Sequence, residues 1–427
     1  MTRIAPAASL HGHVSVPGDK SISHRAVLLG AVAEGETRIR GFGRSADTES
    51  TIAAVRALGV EVSEDDVDTL RVHGVGLRGL RPPAVPIDCG NSGTTMRLLA
   101  GLLAGQSGRF ELTGDDSLRG RPMARVAEPL ERMGARVGTR EGRPPLAIEG
   151  GGLAGVSYTL PVASAQVKSC LLLAGLLAQG ETAVTEPHPT RDHTELMLEA
   201  AAVSLRRGPR HVVVQPVERL ALPTVEVPGD FSSAAPLVVA ATLLAGSELY
   251  VHGVGLNPRR TGLLEVLGRM GARITIYNRR RLGLEQVGDL EVRSAELVAT
   301  AVFEPEVPLL VDELPLFALA AAHARGESVV RGAEELRLKE TDRIERVTTS
   351  LRALGARVTE SEDGFRVRGV PARLRGGGMD SGGDHRIAML GAVAGVTSRE
   401  GVEVQRAESI AVSFPGFLEL LDSVAVR

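Results

Sequence analysis

The sequence predicts an α/β protein of two similar domains with helices packed inside sheets, and three observations carry that prediction. Val16-Pro17-Gly18-Asp19, which leads into Lys20-Ser21-Ile22-Ser23-His24-Arg25 and an apolar run, returns 211 positions later as Val227-Pro228-Gly229-Asp230, again ahead of hydroxyls and an apolar run. Within each half, a pattern of buried helix, strand, amphipathic helix and strand recurs three times. Aromatics are only 3% of the chain and Trp is absent, so Ala, Leu and Gly fill the apolar runs, a composition suited to close-packed interior helices.

The buried helices are expected at 23–33, 94–104, 165–178, 232–245, 314–324 and 386–396. A strand between glycines follows at 35–41, 108–114 and 326–332, with looser copies after Gly180, Gly246 and Gly401. The amphipathic helix then closes at Leu58-Gly59-Val60, Met133-Gly134-Ala135, Met270-Gly271-Ala272 and Leu354-Gly355-Ala356, each followed by alternating strand residues. The third copy, near Ala202-Val203, lacks the glycine. The two Val-Pro-Gly-Asp segments begin corresponding elements of the two halves, which makes them hinge candidates.

At 44.9 kDa the chain suits two domains of about 200 residues. A net charge of -3 and a pI near 6.4 argue against a general nucleic-acid or anionic-membrane binder, so any anion site must come from local cations. The longest apolar stretch, around 234–245, falls short of the ~18 residues that span a bilayer, and the N-terminus lacks a charged-then-apolar signal pattern. A soluble cytoplasmic protein is expected. Cys89 and Cys170 form neither a disulfide framework nor a metal cluster and are expected to be reduced and structural. Of 49 Lys plus Arg, only Lys20, Lys168 and Lys339 are Lys, and each falls in a motif described below.

Polar clusters stand at the starts of the buried helices: Lys20-Ser21 with Arg25, Asn91-Ser92-Gly93-Thr94-Thr95 with Arg97, Ser164-Ala165-Gln166 with Lys168, Asp312-Glu313, and Asp384-His385-Arg386. A helix N-terminus offers unpaired N–H groups and partial positive charge, so added cations make it a site for phosphate or carboxylate. Ordinary N-capping explains any single cluster, but not five supplied with extra Lys and Arg. Two loops at equivalent points of the second and fifth repeats, Leu118-Arg119-Gly120-Arg121-Pro122 and Lys339-Glu340-Thr341-Asp342-Arg343, add further cations. Glu340, flanked by Lys339 and Arg343, has the setting of a proton-transfer carboxylate.

Together Lys20-Ser-x-Ser-x-Arg25, Asn91-x-Gly-Thr-x-x-Arg97, Arg119-x-Arg-Pro122, Ser164-x-Gln166, Lys339-Glu-x-x-Arg343 and Asp384-His-Arg386 resemble the 3-phosphoshikimate 1-carboxyvinyltransferase (EPSP synthase) family, over the whole chain and in order. The resemblance implies a two-domain inverse α/β barrel, each domain three βαβαββ units. It makes residues 18–228 the N-terminal-half domain and residues 1–17 with 229–427 a discontinuous C-terminal-half domain, with the active site in the cleft between them. It implies transfer of enolpyruvyl from phosphoenolpyruvate to the 5-hydroxyl of shikimate 3-phosphate, with no cofactor or metal, no partner beyond these substrates, and a monomeric state. Lys20, Arg121, Arg343 and Arg386 would hold phosphoenolpyruvate, with Gly93 lending its backbone, and the herbicide glyphosate would occupy the same place. Ser21, Arg25, Ser164, Gln166 and Lys339 would hold shikimate 3-phosphate. Asp312 would take the hydroxyl proton and Glu340 would protonate the methylene carbon. Lys20 would lie between the substrates as the third catalytic residue, with Thr94, Ala165, Lys168 and Arg191 as further candidates for the site.

Two departures from the family pattern stand out. Some members carry a Lys where this chain reads Val412, and some an aromatic where it reads Thr190-Arg191-Asp192-His193. The related UDP-N-acetylglucosamine enolpyruvyl transferases carry a Lys-Asn pair and a loop Cys, against Lys20-Ser21 and a Cys-free 118–121 here. A non-catalytic repeat scaffold would need the clusters to be caps alone. Nucleotide use finds no Gly-x-x-x-x-Gly-Lys loop.

Overall fold

Residues 1–427 are described by the structure, a computed structural model. Contacts divide the chain into two units, Gly18–Val227 with Leu282–Glu285, and Met1–Pro17 with Pro228–Arg281 and Gln286–Arg427. Pro228 thus groups with the segment that follows it, and Leu282–Glu285 with the unit Gly18–Val227.

In the unit Gly18–Val227, the apolar runs become the helices Lys20–Val32, Gly93–Ala104 and Ala165–Gly175, the second packed against both others. Their starts follow from the residues present: Asp19, Ser92 and Ser164 accept from the backbone N–H of Ile22, Thr95 and Val167. The helix expected to reach 178 stops at Gly175, because Leu177 and Ala178 donate to carbonyls three residues back and tighten the last turn. Three four-stranded sheets cover these helices, in the orders 224–226, 34–40, 69–75, 61–66; then 87–88, 108–113, 143–150, 136–140; then 157–159, 182–185, 211–214, 205–207. In each sheet the first pair is parallel and the rest antiparallel; in the second and third sheets a buried helix bridges the parallel pair, whereas in the first the parallel partner, 224–226, comes from the end of the segment.

The second unit repeats the plan. Helices Phe231–Leu243, Leu314–His323 and His385–Thr397 pack on one another, and nearly every residue in them is buried. Their sheets run 273–282, 285–293, 248–255, 9–15, 425–426; then 301–302, 326–330, 364–369, 357–361; and a three-stranded 2–4, 402–405, 377–380. The chain therefore lends one leading strand in each direction: 9–15 precedes the crossing at Pro17 and 224–226 the crossing at Val227.

The glycines predicted to end the amphipathic helices, Gly59, Gly134, Gly271 and Gly355, lie at φ of 92°, 105°, 93° and 96°. In each case the next residue's N–H reaches the carbonyl five residues back, the Schellman closure that this left-handed turn permits. The third repeat makes the same closure without glycine: Ala202 sits at φ 58° and Val203 N–H donates to Leu198 O at 2.9 Å. No helix is long and apolar enough to cross a membrane.

Candidate active site

Two loops in the unit Gly18–Val227 approach each other as only glycines allow. A β-carbon on Gly18 would lie 1.8 Å from Gly41 O, and one on Gly43 would lie 2.1 Å from Gly18 O. Gly43 N–H also donates to Ser23 Oγ at 2.9 Å. This packing brings the loop of residues 41–45, and with it the start of the helix Ala46–Ala57, to the start of the first buried helix, where Lys20 Nζ donates to Asp47 Oδ2 at 2.6 Å.

One helical turn on, Arg25 is 4% exposed and donates to Thr194 Oγ1 at 2.7 Å, Ser169 Oγ at 2.8 Å and Ser21 O at 2.9 Å. Burial lowers its pKa to about 10, partly offset by Glu195 and Asp19, so the guanidinium stays charged at neutral pH. All three of these acceptors are neutral. A buried charge held by hydroxyls and a carbonyl is costly, and an incoming anion relieves that cost. Beside it, His24 Nδ1 pairs with Thr51 Oγ1 at 2.6 Å, while burial, Lys20 and Arg25 push its pKa well below the usual histidine range.

The second and third helix starts are joined. Arg97 donates to Gln166 Oε1 at 2.6 Å, and Gln166 Nε2 donates to Thr94 Oγ1 at 2.8 Å. Arg121 donates to Asn91 Oδ1 at 2.6 Å. Gly93 stands among these cations: a β-carbon there would lie 2.7 Å from Arg97 NH1 and 3.3 Å from Arg121 NH1. Ser164 caps the third helix, Ala165 begins it, and Arg191 is half-buried in the loop before the helix His193–Ala200. Lys168 is 1% exposed and faces inward, 2.8 Å from Glu195 and 3.1 Å from Glu186, so its charge is neutralised within the interior.

In the second unit the cations are held by carboxylates. Asp384 caps the helix His385–Thr397 by accepting from Arg386 N–H, and its oxygens also receive Arg343 Nε at 2.8 Å and NH2 at 3.2 Å. From the same guanidinium, NH2 reaches Glu340 Oε2 at 2.6 Å and NH1 reaches Asp312 Oδ1 at 3.3 Å. These three carboxylates raise the Arg343 pKa despite the burial that opposes it. Arg386 donates to Glu313 Oε1 at 3.4 Å and lies 4.0 Å from Asp312. Lys339, half-buried, precedes Glu340 in the chain. One guanidinium thus holds two partly accessible carboxylates, groups of a kind that can exchange protons.

The sequence model of the EPSP synthase (3-phosphoshikimate 1-carboxyvinyltransferase) family matches residues 4–421. The chain belongs to the EPSP synthase family. Among its relatives, the 3-phosphoshikimate 1-carboxyvinyltransferase of Geobacter metallireducens is 51% identical over 99% of both chains. That of Halorhodospira halophila is 53% identical over 98% of this chain and 95% of its own. The solved EPSP synthase of Acinetobacter baumannii superposes with a TM-score of 0.88 at 41% identity, covering 100% of this chain and 98% of that one. The enolpyruvyl transferase NikO of Streptomyces tendae has a TM-score of 0.82 at 20% identity, over 99% of this chain and 96% of its own, a likeness of fold. The inverse α/β barrel of the EPSP synthases is therefore the fold of this chain as well.

Sequence reasoning compared only the loops of the second and fifth repeats. At the matching points of the first and fourth stand Asp47, in the first turn of the helix Ala46–Ala57 and against Lys20, and Arg260, which is 3% exposed and meets Asp230 at 3.1 Å and Asp312 at 3.6 Å. Extending the repeat comparison to every loop would have found both.

Proposed function

We propose that this EPSP synthase family member transfers the enolpyruvyl group of phosphoenolpyruvate to the 5-hydroxyl of shikimate 3-phosphate, releasing phosphate, for aromatic amino-acid synthesis. The observation that carries the residue-level reading is that Arg343 holds Asp312 and Glu340 at once. As the 5-hydroxyl oxygen attacks C2 of phosphoenolpyruvate, Asp312 takes its proton and Glu340 gives one to the methylene carbon, leaving a tetrahedral adduct. Loss of a proton from the new methyl group and departure of phosphate complete the transfer.

Lys20, Arg121, Arg343 and Arg386, with the backbone of Gly93, hold phosphoenolpyruvate in this reading, and positive charge at the helix starts stabilises the developing anion. Ser21, Arg25, Ser164, Gln166 and Lys339 hold shikimate 3-phosphate, and the neutral surroundings of Arg25 favour its choice as an anion partner. Thr94 and Arg97 orient Gln166, and Arg191 adds charge nearby. The pairing of Lys168 with Glu186 and Glu195 supports a structural part for that residue. The enzyme in this reading is cytoplasmic and monomeric.

Coupled phosphate release with both substrates tests the reaction, and Asp312→Asn and Glu340→Gln test the roles. Each should slow turnover by ~10²–10⁴. Shikimate 3-phosphate binding should survive, because Ser21, Arg25, Ser164, Gln166 and Lys339 are unchanged in either variant. Normal turnover in either variant removes that residue from proton transfer.

A further inference from the structure

Asp312 and Glu313 adjoin in sequence but differ in setting: Asp312 is partly accessible, whereas Glu313 is fully buried. Glu313 accepts from Ser232 Oγ and from Arg386 NH1, and its Oε1 lies 3.7 Å from Arg260 NH1. The same Arg260 nitrogen lies 3.6 Å from Asp312 Oδ2, while Arg260 NH2 donates to Asp230 Oδ1 at 3.1 Å. Asp230 is itself fixed, since it caps the helix Phe231–Leu243. Arg260 is therefore hydrogen-bonded through NH2 to a helix cap, while its NH1 faces two carboxylates at ion-pair distance, just beyond hydrogen-bond reach.

Resting on the reading of Asp312 as the base, we infer that Arg260 and Glu313 form a buried positioning pair, in which Arg260 sets Asp312 and Glu313 sets Arg386. Arg343 takes one oxygen of Asp312 and Arg260 faces the other, so the carboxylate is bracketed. Arg386 is steered through NH1 by Glu313, while its NH2 lies 4.0 Å from Asp312, beyond hydrogen-bond reach. Planar, forked geometry is needed at Arg260, because three carboxylates in different directions cannot be met by a single ammonium. Glu313 needs its charge, because an amide would hold Arg386 more weakly. Neither residue touches the reacting atoms in this scheme.

Arg260→Lys keeps the charge and so keeps the buried carboxylates compensated. It should lower kcat about 10-fold or more while the KM for phosphoenolpyruvate changes less than threefold and the melting temperature stays near wild type. Glu313→Gln should do the reverse, raising the KM for phosphoenolpyruvate about 10-fold with a smaller effect on kcat. A double variant, Arg260→Gln with Glu313→Gln, removes both charges together and serves if a single variant folds poorly; its kcat should stay at least 10-fold down in folded protein. Wild-type kcat in Arg260→Lys, or in the folded double variant, overturns the inference, as does a loss of activity that only tracks loss of folded protein. Asp312→Asn measured alongside separates the two levels: if it is silent the base assignment falls, and if it is slow while Arg260→Lys is normal only the positioning pair falls.

Discussion

The Lys20 ammonium lies 2.6 Å from Asp47 Oδ2, with both side chains largely but not fully withdrawn from solvent. One carboxylate oxygen thus fixes where the charge of Lys20 sits, and the glycine contact between residues 18 and 43 fixes where that carboxylate is.

Lys20→Arg preserves charge but not this point. A guanidinium engages Asp47 through two nitrogens and is drawn toward it, away from the place the ammonium now occupies. A displacement near 1 Å costs ~10²-fold in rate. Steady-state kinetics should show kcat/KM falling on that scale at nearly unchanged melting temperature. Wild-type kinetics would mean that Lys20 does not contact substrate.

Gly93→Ala should fold normally, because the nearest atoms to the added methyl are the ends of the Arg97 and Arg121 side chains rather than backbone. Those ends must shift, and the bond from Arg97 to Gln166 is the first to loosen. The KM for phosphoenolpyruvate should rise, and glyphosate should inhibit the variant less than the wild type. Equal inhibition of both proteins would place the methyl outside the pocket.

His24 gives stability a pH dependence whose sign is fixed. Its folded pKa is depressed, first by burial and then by Lys20 and Arg25, while the unfolded chain titrates near the ordinary histidine value of 6.5. Below 6.5 the unfolded state binds the extra proton, so stability is intact above that pH and falls as pH drops through it, approaching about 1.4 kcal/mol for each further unit. Denaturant titrations between pH 7 and pH 5 should show this slope reduced in His24→Gln; an unchanged slope would exclude His24 as its source.

Ala202→Gly should stabilise the protein by about 1 kcal/mol, since a non-glycine residue in the left-handed region carries a cost of that order. The closure from Val203 to Leu198 needs the turn but not the methyl group. A lower unfolding midpoint in the glycine variant would mean that Ala202 gains more from packing than it loses in backbone strain.

The helix starts were legible because capping is local: Asp19, Ser92, Ser164, Asp230 and Asp384 sit within three residues of the N–H groups they accept. The Schellman glycines were legible for the same reason. Lys168 was not, because its two carboxylates lie 18 and 27 positions away and reach it only after the third repeat has packed. Arg260 escaped notice because Asn257-Pro258-Arg259-Arg260-Thr261 reads as an ordinary exposed turn, and only the fold buries its guanidinium against Asp230, Asp312 and Glu313. The Asp312-Glu313 pair was visible as letters, but which carboxylate stays accessible depends on the crossing helix that supplies Ser232.

The lent strand 9–15 sets an order of events during synthesis. It pairs in parallel with 248–255, from Glu248 opposite His11 to His252 opposite Ser15, so it has no neighbour on that side until the ribosome has made more than 230 further residues. The inserted unit has no such wait: its own leading strand, 224–226, lies at the end of its main segment and closes against 38–40. Chain elongation at about 5–20 residues per second leaves the first strand without this partner for roughly ten seconds or more, while the main segment of the intervening unit, 18–227, emerges. Thr2, Arg3 and Ile4 wait longer still, for Val402 to Val404. Strands 2–4 and 9–15, made well before their partners, are among the last parts of the molecule to find their place.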